Sequence, residues 1–176
     1  MNLQRIFLFL KRNLTQEPFL INRFFVSLFI INNKVSSFNS FISRYFIKND
    51  DEDYEELKKV IDYIDKQQLG KLKLEDMIKL FEFVISPSDR VVTGAIYTPN
   101  KIRKRILENC LGNQQDLSSV RVADIACGCG GFLMDVAKYI HKKTGKSYQH
   151  IYRENIFGID IQSYSIERCK ILLNLL

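Results

Sequence analysis

Residues 120–132 read Val120-Arg121-Val122-Ala123-Asp124-Ile125-Ala126-Cys127-Gly128-Cys129-Gly130-Gly131-Phe132, and this stretch decides the fold. A short apolar strand from Val120 to Ile125 runs into a turn carrying Gly128, Gly130 and Gly131. An amphipathic helix begins near Phe132. Strand, tight turn and helix in that order bring a nucleotide-like ligand close to the backbone, with the helix N-terminus facing it. Gly128 and Gly130 reach backbone conformations that other residues avoid, and they present no Cβ to a ligand. The spacing is not that of the dinucleotide fingerprint G-x-G-x-x-G. Here an acidic residue, Asp124, lies at the strand end, and Gly128-x-Gly130 follows it.

Downstream, Phe132, Leu133, Val136, Ala137 and Ile140 keep helical spacing until the pattern fades at His141–Gly145. Gly145–Arg153 reads as a surface connection, and both histidines, His141 and His150, as surface residues. Asn155-Ile156-Phe157-Gly158-Ile159-Asp160 is a second strand, again with an acidic end. A carboxylate there can accept both ribose hydroxyls of an adenosine ligand. The alternative is that Asp160 caps the next helix, which starts near Ser163 and carries Ile166, Cys169, Ile171, Leu172 and Leu173. Both strands are almost continuously apolar, as expected of strands buried on two faces. Two strands do not make a stable open sheet alone, so Leu172, Leu173, Leu175 and Leu176 are expected to want further strands.

Upstream lies Gly94-Ala95-Ile96-Tyr97-Thr98-Pro99. Thr98 is placed to cap a helix and Pro99 to fill its first turn, where a missing N–H costs nothing. That helix runs through Ile102, Ile106, Leu107 and Cys110 to a stop near Gly112. Its Lys101, Arg103, Lys104 and Arg105 either meet DNA phosphate or form a solvated face. Earlier still, helices are expected over Glu52–Gln68, with the stripe Leu57, Val60, Ile61 and Ile64, and over Lys73–Ile85, with each apolar face buried against the other. Residues 1–46 are rich in phenylalanine and read as one or two helices broken near Pro18 and Asn32-Asn33, with a strand through Phe24–Ile31 as the alternative. Arg5, Lys11, Arg12 and Arg23 either face DNA or are ordinary surface.

The 176 residues suffice for one domain with a real core, and the net charge of +6 suits a nucleic-acid partner without demanding one. The basic excess flanks an acidic middle, residues 51–90. Cys110, Cys127, Cys129 and Cys169 form no C-x-x-C pair and read as reduced, intracellular thiols. The Cys127-x-Cys129 spacing is too short for the usual zinc pairs, so no metal is expected. No secretion signal or transmembrane stretch stands out; Phe19–Ile31 is too short and too polar to cross a bilayer, which leaves a membrane-surface helix as the minor alternative.

Asp124-x-x-x-Gly128-x-Gly130 resembles motif I of S-adenosylmethionine-dependent methyltransferases. The string from Asp124 to Phe132 most closely resembles the D-P-A-C-G-S-G-x-F form of N6-adenine-specific DNA methyltransferases of restriction-modification systems, such as type I modification subunits and type IIG-like enzymes. Ile125 stands in place of the proline and Cys129 in place of the serine. Gly94–Pro99 resembles the family's G-x-x-Y/F-T-P element, motif X, and Ile156–Ile161 resembles motif II, with Gln162 where a second acidic residue is frequent.

The resemblance covers about residues 80–176. It implies an α/β fold: an incomplete, Rossmann-like methyltransferase sheet preceded by a helical region. The boundaries expected are 1–89 for the mostly helical part and 90–176 for the start of the catalytic domain. The implied cofactor is S-adenosyl-L-methionine, held by Tyr97, Thr98, Pro99, Asp124, Ala126, Cys127, Gly128, Gly130, Phe132, Asp160 and Ile161. Within that set Asp160 takes the ribose and Ile161 packs on adenine. The implied activity is methyl transfer to adenine N6 in double-stranded DNA, in the cytoplasm, with a specificity or nuclease subunit or domain as a further partner. The family's catalytic loop, N/D/S-P-P followed by an aromatic residue, does not occur in residues 1–176, whose prolines are Pro18, Pro87 and Pro99. The expectation is therefore an inactive fragment with no catalytic residue of its own. The rival readings are a methyltransferase acting on RNA or protein, a non-catalytic interaction subunit, and, less favoured by the turn spacing, a dinucleotide oxidoreductase.

Overall fold

A computed structural model describes residues 17–66, 70–85 and 97–176. Among these, the chain is mostly helical, with one small parallel sheet of two strands. It divides into two compact units, residues 1–94 and 95–174. The basic residues expected at Arg5, Lys11 and Arg12, the last two residues of the helix expected over Glu52–Gln68, and Gly94–Ile96 lie outside the described residues.

The first unit is built on helix α1, Pro18–Asn33. Pro18 starts this helix rather than breaking it, because its fixed φ and missing N–H suit a first turn. The strand alternative for Phe24–Ile31 does not hold. Phe24, Phe25, Val26, Ser27, Leu28, Phe29 and Ile30 are all buried, so α1 is enclosed on every side. A short helix α2, Ser40–Ser43, follows, then α3, Tyr54–Lys66, and α4, Leu74–Phe83. Helix α3 buries Leu57, Val60 and Ile64, and α4 buries Met77, Ile78, Leu80 and Phe81. Sequence spacing alone paired these two helices with each other. Instead both pack on α1, with the rings of Phe25 and Phe81 centred 5.7 Å apart. The reason is that α1 has apolar surface all round and each of the others has a single stripe.

Polar side chains close this unit. The Ser27 hydroxyl donates to the Tyr45 carbonyl at 3.2 Å and accepts from the Ile47 N–H at 2.8 Å. Asn32 Oδ1 accepts from the Leu72 N–H at 2.6 Å, and Asn33 Nδ2 donates to the Leu72 carbonyl at 2.9 Å. Arg23, read as a possible DNA contact, is instead paired with Asp51 and Asp53.

The second unit contains α5, Asn100–Leu111; β1, Val122–Asp124; α6, Gly131–Thr144; α7, Tyr148–Glu154; β2, Ile156–Gly158; and α8, Ser163–Asn174. The strands run parallel, with Val122 opposite Ile156, Ala123 opposite Phe157 and Asp124 opposite Gly158. Bonds from Val122 N–H to the Asn155 carbonyl (2.8 Å) and from Cys127 N–H to the Ile159 carbonyl (3.0 Å) extend the pairing at both ends. Asn155 adds side-chain bonds to the carbonyls of Val120 (2.6 Å) and Ser118 (3.1 Å). The core gathers Leu107, Leu133, Val136, Ala137, Ile140, Ile151 and Ile156.

Three expectations fail here. Gly145–Arg153 is not a plain surface connection: Ser147 caps α7 by accepting from the His150 N–H at 3.2 Å, and Ile151 anchors that helix in the core. His141 is half-buried, stacked on Tyr148 with ring centres 4.4 Å apart and bonded through Nδ1 to the Lys146 carbonyl at 2.7 Å. Among the described residues the sheet is not covered on both faces. Side chains alternate across a strand, so Ala123, Ile125, Phe157 and Ile159 share one face. Phe157 is 46% exposed, Ile159 62% and Ile125 79%.

Helix α5 also turns a different side inward. Ile102, Ile106 and Cys110 are exposed, while Arg103, Leu107 and Leu111, one residue further on, are buried. Its N-cap is Pro99 rather than Thr98, and no side-chain cap forms.

Candidate functional site

The site is centred on Gly128, which sits in the left-handed region at φ +52°. On one side, a Cβ there would lie 3.0 Å from Cε1 of Tyr97. On the other, the Gly128 N–H donates to Oδ2 of Asp160 at 2.9 Å. Glycine at this position is thus required by the chain's own backbone and by the Tyr97 ring. The three sequence elements singled out, Tyr97-Thr98-Pro99, the glycine turn and the Asp160 strand end, meet at this one residue.

Asp160 is engaged within the chain through both of its oxygens. Its Oδ1 accepts from the Gln162 N–H at 2.8 Å, just ahead of α8, while Oδ2 holds the turn. A carboxylate has about four lone-pair sites, so each oxygen keeps capacity for a further donor. Asp124 accepts from the Ala126 N–H at 3.2 Å through Oδ1. Cys127 lies between the two acids. Burial raises its thiol pKa, and the nearby charges of Asp124 and Asp160 push it the same way.

The turn is less open than its glycines suggest. The N–H groups of Ala126, Cys127, Gly128 and Gly130 all have partners within the chain: Asp124, the Ile159 carbonyl, Asp160 and the Cys127 carbonyl. Donors for a ligand are therefore expected from the first turn of α6, whose N–H groups lack helical acceptors. Gly130, at φ +84°, makes room for α8: a Cβ there would overlap the Cys169 sulfur.

Under the turn lies a buried cluster. Burial holds the Tyr97 hydroxyl far above the ordinary tyrosine range, with the Cys129 sulfur adding to the effect. Burial likewise pushes the Cys129 thiol up to about 12. The Tyr97 hydroxyl lies near Cys129 and the buried Arg168 but forms no well-shaped hydrogen bond. These thiols are neutral and packed, which is not the environment of a nucleophile. Among the described residues no group of three acidic, histidine or cysteine side chains is placed to hold a metal.

Some site residues make no side-chain contribution of this kind. Thr98 acts through its carbonyl, Pro99 caps α5 through its backbone, and Ala126 is exposed. Phe132 is half-buried on α6, and Ile161 is 87% exposed beyond the second strand. Two residues were missed by the sequence reading. Arg103, taken for a surface cation, is 2% exposed, and its Nε pairs with Asp135 of α6 at 2.8 Å. The available signal was the spacing Arg103, Leu107, Leu111, which puts the arginine on the inward stripe.

No described helix is long and apolar enough to cross a membrane. A family model described as N-6 DNA Methylase matches residues 75–176, from α4 to the end of α8 and beyond. No curated protein and no solved structure matches the chain.

Proposed function

The chain belongs to the N-6 DNA methylase family, and from that premise we propose that residues 97–176 form the S-adenosylmethionine-binding part of an adenine-N6 DNA methyltransferase with a Rossmann-like sheet. The observation that carries this reading is the meeting of Tyr97, the glycine turn and Asp160 at Gly128. The fit rests on donor and acceptor chemistry. Asp160 keeps acceptor sites for ribose hydroxyls, and the first turn of α6 offers N–H groups to a carboxylate. Exposed Ile161 is apolar surface on which a base can pack. Asp124, Ala126, Cys127, Gly130 and Phe132 shape the turn, and Thr98 and Pro99 carry Tyr97 to it. Bound there, S-adenosylmethionine supplies an electrophilic methyl group. The residues described here hold and orient it; none of them is placed as the base or nucleophile.

The partner in this reading is double-stranded DNA, in the cytoplasm, within a restriction-modification system that adds a specificity or nuclease component. Arg103 and Arg23 are committed to ion pairs, while Lys101, Lys104 and Arg105 on α5 are exposed and open to phosphate. Residues 1–176 by themselves contain no N/D/S-P-P-aromatic string, so this chain alone transfers no methyl group.

Calorimetry of the chain with S-adenosylmethionine, S-adenosylhomocysteine and NAD tests the cofactor. Binding of the first two and not of NAD is expected; equal binding, or none, would overturn the reading. Sequence-dependent transfer of labelled methyl to DNA by the chain alone would sink the claim of inactivity. A second reading, an interaction subunit, is favoured by the open sheet face at Ile125, Phe157 and Ile159. A monomer by sedimentation, without partner, would count against it.

A further inference from the structure

The cofactor reading requires Tyr97 to stay against the glycine turn, yet its hydroxyl forms no well-shaped bond that would hold it there. We propose that Arg103 is a positioning residue of the site: it locks the Tyr97-Thr98-Pro99 segment onto α6 and so keeps the Tyr97 ring on Gly128. The inference rests on the cofactor reading for its purpose, while the lock itself stands on geometry.

Arg103 lies one turn into α5, close behind Pro99. Its Nη1 donates to the Thr98 carbonyl at 2.7 Å, and its Nε donates to Asp135 Oδ2 at 2.8 Å. One rigid fork therefore spans two elements, the segment before α5 and the body of α6. Lysine has a single ammonium on a flexible stem and cannot hold both acceptors in fixed directions. The guanidinium also lies flat against the start of α6: a Cβ on Gly131 would sit 3.3 Å from both its Cζ and its Nε. Gly131 thus serves the arginine.

Energetics argue against a purely stabilising purpose. Replacing both members of a buried ion pair by apolar residues of similar size is often neutral or better for stability. A cation beside a helix N-terminus also opposes the helix dipole, which Asp135 offsets here. What an apolar pair cannot do is grip the Thr98 carbonyl. That carbonyl belongs to the residue after Tyr97, so its anchor fixes the direction in which the Tyr97 side chain leaves the backbone.

The test uses the full chain and the double variant Arg103→Met/Asp135→Leu, which removes both charges together, beside Arg103→Lys. Urea unfolding reports the fold. Magnetisation transfer between the Tyr97 ring and the Gly128 α-protons reports the lock, and calorimetry with S-adenosylhomocysteine reports the site. The double variant is expected to unfold at nearly the urea concentration of the parent, lose the Tyr97–Gly128 signal and bind the probe about tenfold more weakly or worse. A folded double variant that keeps that signal, or keeps the parent's affinity without it, overturns the proposal. Should the double variant fail to fold, Arg103→Lys is read against the same two outcomes. A parent chain that binds no probe refutes the cofactor reading instead, and the proton contact still decides the lock.

Discussion

The two units solve the burial problem in opposite ways. In the first, α1 is apolar all round and is covered on every side, and Ser27, Asn32, Asn33 and Arg23 close the structure with paired polar groups. In the second, one sheet face stays open, and glycines at the turn and strand end sit where any Cβ would strike a neighbour. The described residues of the first unit form a closed core. The second brings the Tyr97 ring and the Asp160 carboxylate to opposite sides of Gly128.

That contrast can be broken most forcefully in the first core. Phe25→Ala removes a fully buried ring that packs tilted against Phe81 and is expected to cost about 4 kcal/mol in equilibrium urea unfolding. A loss near that of a surface change would mean that α1 is not the organiser of its unit. The second unit is sharpened by comparing two glycines of positive φ. Gly130→Ala combines backbone strain with collision against Cys169, an expected loss of about 3 kcal/mol. Gly145→Ala meets open space, so its backbone strain alone costs about 1 kcal/mol. Equal losses would show that the Cys169 contact is unimportant.

Alkaline pH probes the buried thiols. Cys129 keeps its proton in the folded chain up to about 12, whereas an unfolded cysteine releases it near the ordinary value of 9.0. The folded state thus binds more protons over that interval, and stability falls as pH rises through it. Cys129→Ser should flatten this decline in unfolding midpoints measured from pH 9 upward. An unchanged slope would assign the decline to other groups. Iodoacetamide at pH 8 should label exposed Cys110 well before the buried Cys129 and Cys169. The smallest effect is expected at the open face: Phe157→Thr should change stability by no more than about 0.5 kcal/mol while making the chain more soluble. A large loss would mean that this face is covered in solution.

Much of the second unit was legible because its signals are local. Strand, glycine turn and helix follow from residues 120–144, and the parallel partner follows from the apolar run ending at Asp160. The helices expected over 52–68 and 73–85 are present within a few residues of those bounds, with Leu57, Val60 and Ile64 inward as read. Helix α7 was missed although Ser147 and the spacing of Tyr148, Ile151 and Tyr152 announced it; the polar residues between them masked the period. On α5 the more apolar stripe, Ile102 and Ile106, was the natural choice and lies outward.

What residues 1–176 determined by themselves is the local order: which stretches turn, which carry helical or strand spacing, and where acids end strands. Backbone conformation and side-chain period are short-range properties, so neighbouring residues suffice to set them. Only the tertiary structure decided which neighbour each face receives. It placed α3 and α4 on α1, drew Arg103 inward to Asp135, and set Gly128 between Tyr97 and Asp160. These are choices among contacts far apart in the chain, and they depend on which pairing satisfies charge, hydrogen bonds and volume at once.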